Sequence, residues 1–248
     1  MEFRHKVAII DSGIGGLGVL KLCQKELGCD LVYIMDNAFC PYGEKEAKDI
    51  QQRVLYLCDK AQFEFGADAI ILACNTATSV AVDIVRKTRN IPIIGMEPPI
   101  LPALRDGNKR IVIMSTEVTN RYNKLIQNFK DKKGIEIVSF KTLAKDIEEN
   151  FFNIDILQES LKNSFGKETL LKCQAVVLGC SHFHYVESLL NQIFLQPIKF
   201  YHSDDGVVLR AKNLLNIKCN SQKGRIAIMQ TKHDDKLLDI CRSEICGN

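Results

Sequence analysis

Short runs of Val, Ile and Leu alternate with stretches of helical period from one end of the chain to the other. The apolar runs predict strands over 6–10, 31–35, 69–73, 92–95, 110–114, 135–140, 175–179, 198–201 and 225–229. Helices fill the intervals. The segment 44–65 is strongly periodic and stops at Gly66, a usual helix terminator. Pro92, Pro98, Pro99 and Pro102 bracket a turn into a short helix, which makes 96–104 a natural crossing between two halves. From about 205 onward come a helix, a strand and a last helix, placed to cross back onto the first half. Strand and helix in strict alternation predict parallel sheet with crossover helices, an α/β protein.

Two phrases recur. Ala69-Ile-Ile-Leu-Ala-Cys74-Asn75-Thr76 is echoed by Ala175-Val-Val-Leu-Gly-Cys180-Ser181-His182, and Lys6-Val-Ala-Ile-Ile-Asp11-Ser12 by Arg110-Ile-Val-Ile-Met-Ser115-Thr116, both at a separation of about 105 residues. One echo is common in any α/β chain, whereas two at nearly the same offset indicate internal duplication. At 248 residues the chain has room for one large domain or two of ordinary size, and the duplication favours two. The expected division is 1–95 plus about 205–248 for the first domain and 96–204 for the second. In open parallel sheets ligands sit beyond the carboxyl ends of the strands, where Asp11, Asp36, Cys74, Glu97, Ser115 and Cys180 fall. Two such sheets facing across a cleft bring Cys74 and Cys180 together.

Charged residues make up 25% of the chain and are interspersed, with a net charge of +3. That balance offers no concentrated basic face, so nucleic acid is not an expected partner. The apolar run after Met1-Glu-Phe-Arg-His-Lys is too short for a signal-peptide core, and no stretch reaches the roughly 18 apolar residues of a membrane span. A cytoplasmic protein with no membrane association is expected. Ten cysteines are far fewer than a disulfide scaffold of this length would carry. Cys23, Cys29, Cys58, Cys173, Cys219, Cys241 and Cys246 lack polar motifs and read as packing residues.

Three motifs carry chemistry. Gly13-Ile-Gly15-Gly-Leu-Gly18 fits the dinucleotide fingerprint G-x-G-x-x-G, with Asp36 ending the next strand, so an NAD-dependent dehydrogenase has to be weighed. Against it, Asp11 puts a carboxylate where a pyrophosphate would sit, and like charges repel there. The glycines then serve a tight turn and close packing. Cys180, His182 and His184 form a C-x-H-x-H cluster, but zinc spacings are wider than this and a fourth ligand, such as His202, would have to come from afar, so no metal is expected. The two cysteine phrases remain. Cys74 precedes a helix expected to start near Thr78, and Cys180 has a histidine two residues on. A sulfur at a helix N-terminus is expected to have a lowered thiol pKa.

Asp11-Ser-Gly-Ile-Gly-Gly-Leu, Pro41-Tyr42-Gly43, Ala73-Cys74-Asn75-Thr76-Ala77 and Leu178-Gly179-Cys180-Ser181-His182 resemble, in order, the signatures of the glutamate racemases of the aspartate/glutamate racemase superfamily. The resemblance spans about residues 5–190. It implies two doubly wound parallel-sheet domains with the active site in the interdomain cleft, no cofactor, a homodimer, and supply of D-glutamate to cell-wall peptidoglycan. It also implies that Cys74 and Cys180 are the acid/base pair, tuned by Asp11 and His182. Asp11, Ser12, Tyr42, Gly43, Asn75, Thr76, Thr116, Thr119, Ser181 and His182 would line the amino-acid site. Ser181 stands where the family usually has threonine, and Phe183-His184 where it has Tyr-Pro. The Cys-Pro motif usual near 141–149 is missing, so the carboxylate that follows it is Glu148, Glu149 or absent.

The chemistry fits these residues. Racemisation takes the Cα proton from one face and returns one to the other, so two groups on opposite sides avoid turning the substrate over. Thiols near pKa 8.5 suit that exchange once a dipole or cation lowers one of them. Glutamate brings two carboxylates and an ammonium to a site rich in hydroxyls, amides and helix N-termini. The alternatives are an aspartate racemase, which usually has glutamate where this chain has His182, and a non-catalytic amino-acid-binding module.

Overall fold

The computed structural model describes residues 4–151, 153–162, 164–217 and 224–246. It contains the nine strands: β1 Lys6–Asp11, β2 Asp30–Met35, β3 Ala69–Leu72, β4 Ile93–Gly95, β5 Ile111–Thr116, β6 Ile135–Phe140, β7 Ala175–Gly179, β8 Lys199–Tyr201 and β9 Ile226–Gln230. They form two separate parallel sheets, ordered β4-β3-β1-β2-β9 and β6-β5-β7-β8. Each sheet is covered on both faces, which is why its central strands β1, β3, β5 and β7 carry apolar residues at successive positions rather than at alternate ones. In the first sheet Val7, Ile9 and Ile71 face one core while Ala8, Ile10 and Ile70 face another. The second sheet divides in the same way between Val112 and Val176 on one side and Ile111 and Val177 on the other.

The duplication is visible in the topology. Reading outward, β4-β3-β1-β2 matches β8-β7-β5-β6 strand for strand, so the echoed phrases β1/β5 and β3/β7 occupy equivalent central places. In both sheets the order reverses between those two central strands, and a topological switch point opens a crevice at their carboxyl ends. After β8 the chain returns to the first sheet. The helix Asp204–Leu214 sends Val207, Val208 and Ala211 into the core that Val19 and Leu20 of the helix Leu17–Glu26 help to form, and β9 pairs with β2.

Two helices differ from the sequence expectation. The segment 44–65 is a short 3-10 turn, Tyr42–Glu44, then the helix Ala47–Asp59 and a final π turn, Lys60–Glu64, ended by Gly66 at φ +68°. The helix after Cys74 begins at Asn75, not near Thr78, because Cys74 is its N-cap: the sulfur accepts the Ala77 amide at 3.5 Å. Cys23, Cys29, Cys58, Cys173 and Cys241 are buried free thiols, as packing residues should be. Cys219 lies outside the described residues, as does the side chain of Cys246. Among the described residues no helix is long and apolar enough to cross a membrane.

Candidate active site

The two switch points meet. β1 delivers Asp11 and Ser12, β3 delivers Cys74, Asn75 and Thr76, β5 delivers Thr116, and β7 delivers Cys180, Ser181 and His182, all buried. Direct hydrogen bonds join the walls. Ser181 Oγ donates to Asp11 Oδ2 at 3.0 Å, the Ile14 amide donates to Glu148 Oε1 at 2.6 Å, and Tyr185 Oη donates to the Ile14 carbonyl at 3.2 Å. Thr76 Oγ1 lies 3.1 Å from Thr116 Oγ1 and 2.9 Å from Thr119 Oγ1, a triad of hydroxyls between the halves.

The glycine loop makes this contact possible. A Cβ on Gly15 would lie 2.5 Å from Ser181 Oγ and 2.6 Å from His182 Nδ1, and one on Gly13 would overlap the Glu148 carboxylate. Neither glycine is needed for a left-handed backbone, so close approach accounts for both. The dinucleotide reading fails on the same geometry. Glu148 occupies the Ile14 amide and Asp11 the Gly13 amide, and Asp36 is already committed to Arg53, to Tyr42 Oη at 2.6 Å and to Thr231 Oγ1 at 2.7 Å.

Each thiol has its own surroundings. Cys74 Sγ lies 3.9 Å from Ser12 Oγ and caps its helix. Burial pushes the Cys74 thiol well up and the charge of Asp11 adds to it, outweighing the Ala77 amide and the Ser12 hydroxyl. The expected lowering by a helix N-terminus is therefore reversed, because loss of water costs a buried thiolate more than one amide returns. The charge of Cys180 also bears on Cys74, so the two sulfurs share one electrostatic environment. Cys180 Sγ lies 3.9 Å from His182 Nδ1, and His182 Nε2 lies 2.7 Å from Glu148 Oε1. Burial opposes the imidazolium, but the bonds to Cys180 and Glu148 prevail and hold His182 well above its ordinary value. Burial raises Asp11 too, against the pull of His182 and the bonds from Gly13 and Ser181.

Of Glu148 and Glu149, the helix Leu143–Glu149 turns the first toward His182. Glu148 follows Ala144 by one turn and shares its inward side, whereas Glu149 is drawn toward Lys145 on the outside at 3.9 Å. Asn75 donates from Nδ2 to the Met96 carbonyl, while its buried Oδ1 has no hydrogen-bond partner. Tyr42 commits its hydroxyl to Asp36, and with Gly43 it opens the short turn packed against Thr116. What these two residues offer the site is backbone. His184 does not join a metal cluster with Cys180. Its Nδ1 bonds the Ser181 carbonyl at 2.6 Å, and burial lowers it to about 4, while His202 pairs with Glu187. One residue escaped the sequence reading. Cys40, immediately before Pro41-Tyr42-Gly43, brings a third thiol beside Ser12, Glu148 and His182.

A family profile described as Asp/Glu/Hydantoin racemase matches residues 18–201. A glutamate racemase of Halothermothrix orenii is 34% identical over 217 residues, 85% of each chain, and one of Clostridium acetobutylicum is 32% identical over 246 residues, 95% of each. This chain belongs to the Asp/Glu/Hydantoin racemase family. Its fold is the family's as well: the crystal structure of glutamate racemase from Campylobacter jejuni superposes with a TM-score of 0.82 over 96% of both chains, at 28% identity. As a member of the Asp/Glu/Hydantoin racemase family the chain is an enzyme, an isomerase.

Proposed function

We propose that the chain interconverts L- and D-glutamate without a cofactor, by moving protons between Cys74 and Cys180. The observation that carries this reading is the pair itself: two buried cysteines at equivalent strand ends of two matched sheets, within electrostatic reach of each other. One thiolate removes the Cα proton and the opposite thiol supplies another, so each turnover leaves the pair with its protons exchanged and ready for the mirror-image substrate.

His182, biased toward its protonated form, is the place for the Cys180 proton to go, and Glu148 anchors that imidazole from the far side. Cys74, held as a thiol while the site is closed and empty, is lowered when the substrate ammonium enters beside it. The unpartnered Asn75 Oδ1 is a buried acceptor suited to the same ammonium. The Thr76, Thr116 and Thr119 hydroxyls, Ser12, Ser181 and the amides of Tyr42 and Gly43 are donors for the carboxylates and for charge that develops on the carbanion-like transition state. Because the walls touch, binding requires Asp11–Ser181 and Ile14–Glu148 to part, and the site then closes around the substrate and excludes water.

Glutamate rather than aspartate is favoured by the curated relatives and by His182 after the second cysteine phrase. By family resemblance the enzyme works as a cytoplasmic homodimer whose D-glutamate feeds peptidoglycan. The test is optical rotation with each enantiomer of both amino acids. Either glutamate enantiomer is expected to racemise with kcat/KM at least about 10²-fold above aspartate, the scale on which one misfitted methylene is read in a closed site. Equal rates, or turnover of aspartate alone, would overturn the substrate assignment.

A further inference from the structure

We propose that Cys40, Glu148 and His182 form a binding site for a borderline-soft divalent cation, Zn2+ above all, and that its occupation stops racemisation. The inhibitory half rests on the racemase reading above; the binding half stands on the side chains alone. Among the described residues these three are the one group of His, Cys, Asp or Glu in which one ligand atom from each lies within 4.8 Å of all the others. They come from three elements: the loop between β2 and the Tyr42–Glu44 turn, the helix Leu143–Glu149, and the turn after β7. It shares only His182 with the C-x-H-x-H cluster, from which no metal is expected.

The donor set suits zinc. A thiolate, an imidazole and a carboxylate are its ordinary ligands, with a fourth position open to water or to substrate. Bonds of about 2.0 to 2.3 Å in a tetrahedron put donor atoms about 3.3 to 3.8 Å apart. Glu148 Oε1 and His182 Nε2 are now 2.7 Å apart and share a proton, so an ion replaces that proton and spreads the pair slightly while Cys40 Sγ draws in. Side-chain shifts on the order of 1 Å suffice for this. Two anionic ligands leave the buried centre with no net charge, which removes the main penalty for placing a dication there. Protons leave Cys40 and His182 as the ion binds, so affinity falls as pH falls.

The consequence follows from the imidazole. An ion on Nε2 fixes the remaining hydrogen on Nδ1, directed at Cys180 Sγ 3.9 Å away, and the ring can no longer take up a second proton. Glu148 is withdrawn from the Ile14 amide at the same time. Cys180 thus loses the partner that receives its proton, and racemisation stops without any change to either sulfur.

The experiment uses the whole enzyme, with zinc followed by calorimetry and by racemisation, and cobalt followed by its thiolate charge-transfer absorption. One ion per chain should bind, EDTA should restore activity, and cobalt should show the thiolate band. Cys40→Ala should keep racemising, lose the band, and need at least about 10-fold to 100-fold more zinc for the same inhibition, the range expected when support for a metal is removed. Should Cys40→Ala not fold, Cys40→Val reads the same outcomes. Equal zinc sensitivity in wild type and variant would put the inhibitory ion on Cys74 and Cys180 and overturn the proposal. No calorimetric binding to the wild type would overturn it as well, whether or not the chain racemises glutamate.

Discussion

Glu148 meets His182 at Nε2 while Cys180 meets it at Nδ1, so one imidazole ties the Cys180 sulfur, which we propose as one of the acid/base pair, to a carboxylate that a neighbouring helix supplies. Removing the charge in Glu148→Gln lowers the His182 pKa. The alkaline limb that His182 gives to the kcat/KM profile should then move to lower pH, with kcat reduced about 10- to 100-fold, and Glu148→Asp should recover part of both. An unmoved limb would mean that the carboxylate does not act through His182. The same shift bears on stability. The folded pKa of His182 lies above the free value of about 6.5, so its contribution is complete below about pH 6.5 and is lost as pH rises through the folded value. Urea unfolding should therefore find Glu148→Gln more destabilised at pH 6 than at pH 9. At this scale the sequence showed the residue types but not their depth. Cys74 looked like a thiol lowered by a helix terminus, and burial, which no local pattern displays, turned the direction round. Cys40 had a signal that went unread, its place directly before Pro41-Tyr42-Gly43, and Glu148 had another, its spacing of four from Ala144 on the inward side of its helix.

The loop after β1 belongs to the scale of elements, because its glycines let one half of the molecule lie against the other. Gly15→Ala puts a methyl 2.5 Å from Ser181 Oγ, so the walls cannot close fully while the rest of the first sheet stays as it is. A loss of about 10²-fold in kcat/KM is expected, the usual effect of a misplacement on the order of 1 Å, with thermal unfolding little changed. Full activity would show that closure to this distance is not required. A second element-scale contact is Asp36, fully buried and gripped by Arg53 at 2.5 Å. Arg53→Met leaves that carboxylate with only Tyr42 and Thr231, and since Arg53 is partly exposed a loss of about 2 kcal/mol in urea unfolding is expected, below the full range for a buried pair. The nine strands were legible to within about two residues at each end, because the central ones, buried on both faces, are runs of apolar residues that stop where polar residues begin, and the edge strands are still rich in Ile, Val and Phe. Helix starts were less legible. Cysteine is not among the usual N-cap residues, so nothing in the sequence marked Cys74 as the cap of the helix Asn75–Thr88.

In the whole molecule, two copies of one β-strand order turn their switch points toward each other, and each delivers a cysteine from its equivalent strand. A racemase must treat mirror-image substrates alike, and a duplicated fold supplies two similar walls with one cysteine on each, which suits the proposed exchange of protons between them. The pairing of the halves was legible in the echoed phrases. Their contact through Asp11–Ser181 and Ile14–Glu148 was not, since bonds between residues more than 130 apart leave no mark on local pattern. The central claim, one thiol on each face of the substrate, is tested most directly by running both enantiomers of glutamate in deuterated water and following the Cα position by NMR. Newly formed product should carry deuterium from the first turnovers while the remaining substrate stays protiated, and Cys74→Ala and Cys180→Ala should each abolish conversion in both directions. Deuterium appearing equally in substrate and product from the outset, or racemisation surviving the loss of either thiol, would contradict it.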